Sequence, residues 1–161
     1  MTGCGLDELL RKDKLELVKM LLEKDDILVP ASIFSQKSGP LESLVAYLKE
    51  KKNLPVKEIA LRLNRSKQTI WATYYKAKRL KISFEATGPK IPLSIFSKKQ
   101  SSILESLTFY LKNINGLRLS EIAALLRRDI RTVWTCNKRF ENKNPALKNQ
   151  NNKNIIKEVR K

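Results

Sequence analysis

Histidine does not occur in the 161 residues, and cysteine occurs only twice. The first absence removes the commonest general base and the commonest metal ligand. Cys4 and Cys136 lie far apart in sequence, make no Cys-x-x-Cys zinc pattern and supply no disulfide framework. Each reads as a free thiol in a reducing cytoplasm. No Gly-rich phosphate loop occurs, and the carboxylates are scattered along helix faces in no catalytic constellation. The chain is therefore expected to be no enzyme, with no catalytic residue, no cofactor and no metal site. No apolar run approaches a bilayer span and no signal peptide precedes the first helix, so a soluble intracellular protein is expected.

Negative charge is the other shortage. There are 16 Asp+Glu against 33 Lys+Arg, a formal net charge of +17. Such an excess repels itself and is tolerated most readily when a polyanion is the partner. Nucleic acid is the first candidate and an anionic membrane surface the second. The plain alternative is a merely soluble, highly charged protein.

An internal repeat organises what is present. Pro30, Ser32, Ile33, Phe34 and Ser35 recur as Pro92, Ser94, Ile95, Phe96 and Ser97. One extra residue then enters the second copy. Leu41, Glu42, Ser43 and Leu44 recur as Leu104, Glu105, Ser106 and Leu107; Glu58, Ile59 and Ala60 as Glu121, Ile122 and Ala123. Leu63, Arg65, Thr69 and Trp71 match Leu126, Arg128, Thr132 and Trp134. Matches spread evenly at constant spacing imply two compact modules.

Within each copy the period is helical. Leu41, Leu44, Val45 and Leu48 place one apolar stripe on a first helix, repeated by Leu104, Leu107, Thr108 and Leu111. A short second helix follows, with Val56, Ile59, Ala60 and Leu63 matched by Leu119, Ile122, Ala123 and Leu126. Pro55 suits its first turn. Ser66 and Asp129 are good N-caps for a third helix, running from Lys67 to about Leu80 and from Ile130 to about Phe140. Its inward stripe is expected to be Ile70, Thr73 or Tyr74, and Ala77, then Val133, Cys136 and Phe140.

The segments "LPVKEIALRLNRSKQTIW" and "LRLSEIAALLRRDIRTVW" resemble the helix-turn-helix pattern of sigma-factor region 4 and of LuxR-type response regulators. The resemblance covers residues 41–80 and 104–140. It departs from the pattern where Pro55 and Arg118 replace a capping Thr or Ser. Asn64-Arg65 and Arg127-Arg128 likewise replace a Gly or a small apolar pair. It implies an all-α fold of two tandem tri- or tetrahelical modules that bind double-stranded DNA, with each third helix in the major groove. Carried over residue by residue, it turns Lys67, Gln68, Trp71, Ala72 and Tyr75 outward in the first copy. In the second, Ile130, Arg131, Trp134 and Thr135 face outward. Gln68 would then bond adenine and Arg131 guanine. Lys76, Lys78, Arg79 and Lys81, with Lys138 and Arg139, suit phosphates.

Each tryptophan directly follows a buried position, about 100° round the helix, and should be half exposed. The competing reading packs Trp71 and Trp134 on Tyr47 and Tyr110 of their own modules. Arg65 and Arg128 have two readings as well, touching DNA or capping and bracing the turn through Glu58 and Glu121, and bracing is the role expected of the two glutamates.

The expected boundaries are 1–26 for an N-terminal amphipathic helix, 29–82 and 91–141 for the modules, 83–90 for a linker setting their separation, and 142–161 for a basic Asn/Lys-rich tail without fixed structure. In the first of these, Leu6, Leu10, Leu17 and Leu21 share a face. It fits a homodimer of the coiled-coil type or a cap on the first module's core. The expected function is a transcription regulator or chromatin-organising factor, cytoplasmic and nucleoid-associated. Its partners would be DNA and a transcription-machinery protein, and no membrane. Rivals are a protein adaptor built on degenerate modules, an RNA-binding protein, and an accessory part of a recombinase or nuclease.

Overall fold

The computed structural model describes residues 26–145. The N-terminal amphipathic stretch and most of the Asn/Lys-rich tail lie outside them. The described chain is mostly helical, with one small two-stranded sheet. It runs through β1 (Leu28–Pro30), a 3-10 lead-in turn (Ala31–Ser35), α1 (Pro40–Glu50), α2 (Val56–Arg62) and α3 (Lys67–Arg79). The same order then repeats as β2 (Lys90–Pro92), a second lead-in turn (Leu93–Ser97), α4 (Ile103–Asn113), α5 (Leu119–Leu126) and α6 (Ile130–Lys143).

Local chemistry sets the helix starts. Ser102 accepts the Glu105 N–H at 3.2 Å while the Glu105 carboxylate accepts the Ser102 N–H at 3.1 Å, a reciprocal cap on α4. In α1 Gly39 has no side chain to offer, and only the return bond survives, Gly39 N–H to Glu42 at 3.0 Å. Pro40 opens that helix, where its missing N–H costs nothing. Pro55 stands one place earlier than expected: it is the extended residue before α2, not part of its first turn.

Strands β1 and β2 pair antiparallel, with Val29 opposite Ile91, Leu28 opposite Pro92 and Pro30 opposite Lys90. Val29 and Ile91 occupy the same place in the repeat, and the flanking pairs exchange roles. The register therefore places a pseudo-twofold axis through the central pair. Phe34 and Phe96, again repeat equivalents, meet with ring centroids 5.7 Å apart and planes at 50°. Both rings are 1% exposed.

The lead-in turns are exchanged between the halves. The first lies between α1 of its own copy and α5 of the other; the second lies between α4 and α2. Val29, Ile33 and Phe34 thus join Ile91, Leu93 and Phe96 in one continuous apolar cluster that extends into both sets of helices. The two copies share a core across the sheet.

The stretch expected as a spacer is tied down. Ala31 N–H bonds the Pro89 carbonyl at 3.0 Å, Ser32 N–H the Thr87 carbonyl at 3.3 Å, and Ser83 N–H the Gln36 side chain at 3.2 Å. The Ser32 hydroxyl and Gln36 amide return bonds to the carbonyls of Glu85 and Ser83. Phe84 meets Tyr47 at 6.0 Å, and the Lys51 ammonium lies 5.8 Å from its ring. Residues 80–89 form a strap across the first copy; sheet pairing and the exchanged turns hold the halves together.

Candidate nucleic-acid interface

Helix α3 begins where the Ser66 hydroxyl accepts the Thr69 N–H at 3.1 Å. Ile70, Thr73 and Ala77 are buried, as their spacing predicted. The remaining faces are open: Lys67, Gln68, Trp71, Ala72, Tyr75, Lys76, Lys78 and Arg79 are all exposed. Trp71 is 46% exposed and stacks on Tyr75, one turn along, with centroids 5.5 Å apart. It also meets the edge of Tyr74 at 6.5 Å. The packing of Trp71 on Tyr47 does not occur, since Tyr47 faces Phe84. Lys67 sits in the first turn, where a cation opposes the helix dipole; Lys76, Lys78 and Arg79 sit in the last, where it is favoured.

Helix α6 begins at Asp129, whose carboxylate accepts the Arg131 N–H at 2.7 Å. Val133, Cys136 and Phe140 face inward with Asn137 and Glu141. The helix continues to Lys143, past the expected end at Phe140, and so takes in the first residues assigned to the tail. Ile130 and Trp134 are 50% and 53% exposed. With Leu119 of α5, Arg131 and Thr135, they wall a shallow apolar depression. Arg131, Lys138 and Arg139 are exposed and Thr135 is half-buried, its hydroxyl donating to the Arg131 carbonyl at 2.8 Å.

The inner side of α6 carries charge that α3 lacks. Glu141 accepts from Asn137 at 2.8 Å and pairs with Lys138 at 3.3 Å and Lys112 at 3.7 Å. Glu105 pairs with Lys143 at 2.8 Å. Burial pushes the Glu141 carboxyl up, but the bonds from Asn137 and Lys138 and the charges of Lys138 and Lys112 outweigh it, leaving a net downward shift. Burial, with help from Glu105, raises the Cys136 thiol against the lowering charges of Arg139, Arg128 and Lys143.

The arginines of the two turns do not brace against Glu58 and Glu121. Glu58 pairs with Arg62 at 2.9 Å, one turn along its own helix, and Glu121 caps the Arg118 N–H at 2.7 Å. Arg128 instead crosses to the other half, donating to the carbonyls of Ser38 at 3.1 Å and Gln36 at 3.4 Å. Those carbonyls lie just past the first lead-in turn, which the exchange has carried to α5.

Three residues outside the sequence-based set join this surface. Lys57 and Lys99 line a cleft with Asn64, Arg65 and Lys67 that contains no carboxylate. Lys99 comes from the second copy and reaches the first only through the exchanged turn, so no periodicity points to it. Leu119 was read as part of the inward stripe of its helix, yet it is only half-buried, at the outer edge against Trp134.

No family model, curated protein or solved structure matches this chain. Among the described residues no helix is long and apolar enough to cross a membrane.

Proposed function

We propose that the chain binds double-stranded DNA as a transcription regulator or chromatin-organising factor, through two helix-turn-helix units that each lay a third helix in the major groove. One observation carries this reading. The outward face of both third helices holds a half-exposed tryptophan among cations, and neither presents a carboxylate. The turns before them support it, each being short, with a left-handed residue (Asn64, Arg127) followed two places on by an N-cap (Ser66, Asp129). The pseudo-twofold relation of the strands suits a target of two half-sites.

Selection from a random duplex pool tests the reading directly and should return two short half-sites at fixed spacing. If about eight phosphates are engaged, log affinity falls with log salt at a slope of about −7. Lys67→Glu with Arg131→Glu removes duplex binding and leaves the circular dichroism spectrum of the fold intact. Unchanged affinity in that variant rejects the orientation of the third helices. A second reading, a protein adaptor, draws on the exposed Ile130 and Trp134; it gives a single selected half-site, belonging to the first unit.

A further inference from the structure

We infer that the depression on the second unit receives the C5-methyl group of a pyrimidine, thymine or 5-methylcytosine, with Arg131 at its rim on a neighbouring guanine. The inference rests on the duplex-binding reading and specifies what one half of that site recognises.

The floor is apolar by composition. Ile130 and Trp134 hold half their surface out to solvent, and Leu119 closes one side. Scattered exposed apolar residues need no explanation, but here Leu119, Ile130 and Trp134 lie together on a chain of net charge +17. The first unit shows that the position does not require it: Lys67 occupies the place of Ile130 and Val56 the place of Leu119. The second unit has exchanged a cation for an apolar wall at the start of the helix.

The rim identifies the occupant. Arg131 lines the depression and takes part in no ion pair among the described residues. Arg118 and Arg127 lie at the two ends of α5, and Arg139 is exposed further along α6. The two nearby carboxylates are already engaged, Asp129 with the Arg131 N–H and Glu121 with the Arg118 N–H. An apolar floor with one arginine at its edge, unpaired among the described residues, matches a methyl group next to a hydrogen-bonding base edge. In the major groove the C5-methyl is the one apolar group on the base edges, so outward-facing Ile130 and Trp134 have one feature to read there. Arg131, next to Ile130 in sequence, has the bidentate fork that suits guanine O6 and N7.

The test uses the full chain and the duplex selected above, with binding followed by fluorescence anisotropy. Deoxyuridine replaces thymine in one half-site at a time, and 5-methylcytosine replaces cytosine. Burying one methyl group is worth about a fourfold change in affinity. The expected result is a loss of about fourfold on removing a methyl, or a gain of about fourfold on adding one, confined to one half-site. The first outcome assigns thymine and the second methylated cytosine. Ile130→Ser and Trp134→Ala, both at exposed positions, should bind methylated and unmethylated duplexes alike. Duplex binding that ignores the methyl overturns the inference and leaves the DNA reading standing. Discrimination that survives Ile130→Ser and Trp134→Ala also overturns it, by placing the contact elsewhere. Absence of any duplex binding rejects both.

Discussion

The two third helices have the same fold position and the same tryptophan, but they spend their charge differently. On α6, Lys143 reaches Glu105 of α4 and Glu141 receives Lys112 of α4, so that two ion pairs brace the helix against α4, while Lys138 pairs with Glu141 within α6 itself. On α3 no cation takes part in an ion pair among the described residues. The repeat shows why. Lys78 stands where α6 has Glu141, Leu80 where it has Lys143, and Tyr74 where it has Asn137. The first unit leaves Lys67, Lys76, Lys78 and Arg79 exposed and without an ion pair among the described residues; the second anchors itself with charge and carries an apolar depression instead. A repeated fold has kept its frame while its two outer faces differ, cationic on one side and partly apolar on the other.

This contrast concerns surfaces, and it holds only if the frame beneath is common. Phe34 is the place to break it. Its ring is fully buried against Phe96, on the axis between the halves. Phe34→Ala should cost about 3–5 kcal/mol, a large share of the stability of a small domain. Because the core is continuous, both units should unfold together. In urea, single-tryptophan chains carrying Trp71→Phe or Trp134→Phe should then report one coincident midpoint, lowered equally by the substitution. Separate midpoints would show independent halves and reduce the comparison to two unrelated modules.

The parts of this frame that depend on near neighbours were legible. The buried stripe Ile70, Thr73 and Ala77 follows the helical period, and the caps Ser66 and Asp129 act within three residues. The half-exposure of Trp71 followed from its angle to Ile70. The parts that depend on distant contacts were not legible. Strands of three residues carry no usable alternation, so nothing local announces that Val29 meets Ile91. Without that pairing the exchange of lead-in turns is invisible, and with it the arrival of Lys99 beside Arg65 and of Arg128 at Ser38. Compact, separate modules were the natural expectation from a repeat; the shared core arises where Val29, Phe34, Ile91 and Phe96 join one apolar cluster across the sheet.

A smaller effect sharpens the contrast in charge. The folded carboxyl of Glu141 titrates below its ordinary value near 4.5. A depressed carboxylate stabilises the fold above the unfolded value, and that contribution disappears as pH falls through the folded one. Glu141→Gln should therefore lose about 1 kcal/mol at neutral pH, with the difference from the unaltered chain vanishing in acid. Melting temperatures between neutral and acid pH would show the two curves converging. At the equivalent place in the first unit, Lys78→Gln should change stability by no more than about 0.5 kcal/mol at any pH, because no carboxylate among the described residues pairs with it. Equal losses at the two positions would remove the distinction between an anchored and an unanchored helix.

The smallest difference lies in the turns. Asn64 and Arg127 are repeat equivalents, and both adopt left-handed backbone, at φ 51° and 48°. Asparagine tolerates that region, whereas arginine carries a strain of about 1 kcal/mol there. Glycine would relieve it, although its freer unfolded chain returns about half of the gain. Arg127→Gly should therefore raise stability by about 0.5 kcal/mol, while Asn64→Gly stays within about 0.3 kcal/mol of the original. Urea midpoints for the pair resolve the difference when measured side by side. A loss at Arg127 would mean that its exposed side chain, which shares a cleft with Glu85 of the strap, contributes more than the strain it carries. The second unit would then draw on the strap as well as on Glu141 to hold its turn, and its reliance on internal charge would extend from the third helix to the residue that introduces it.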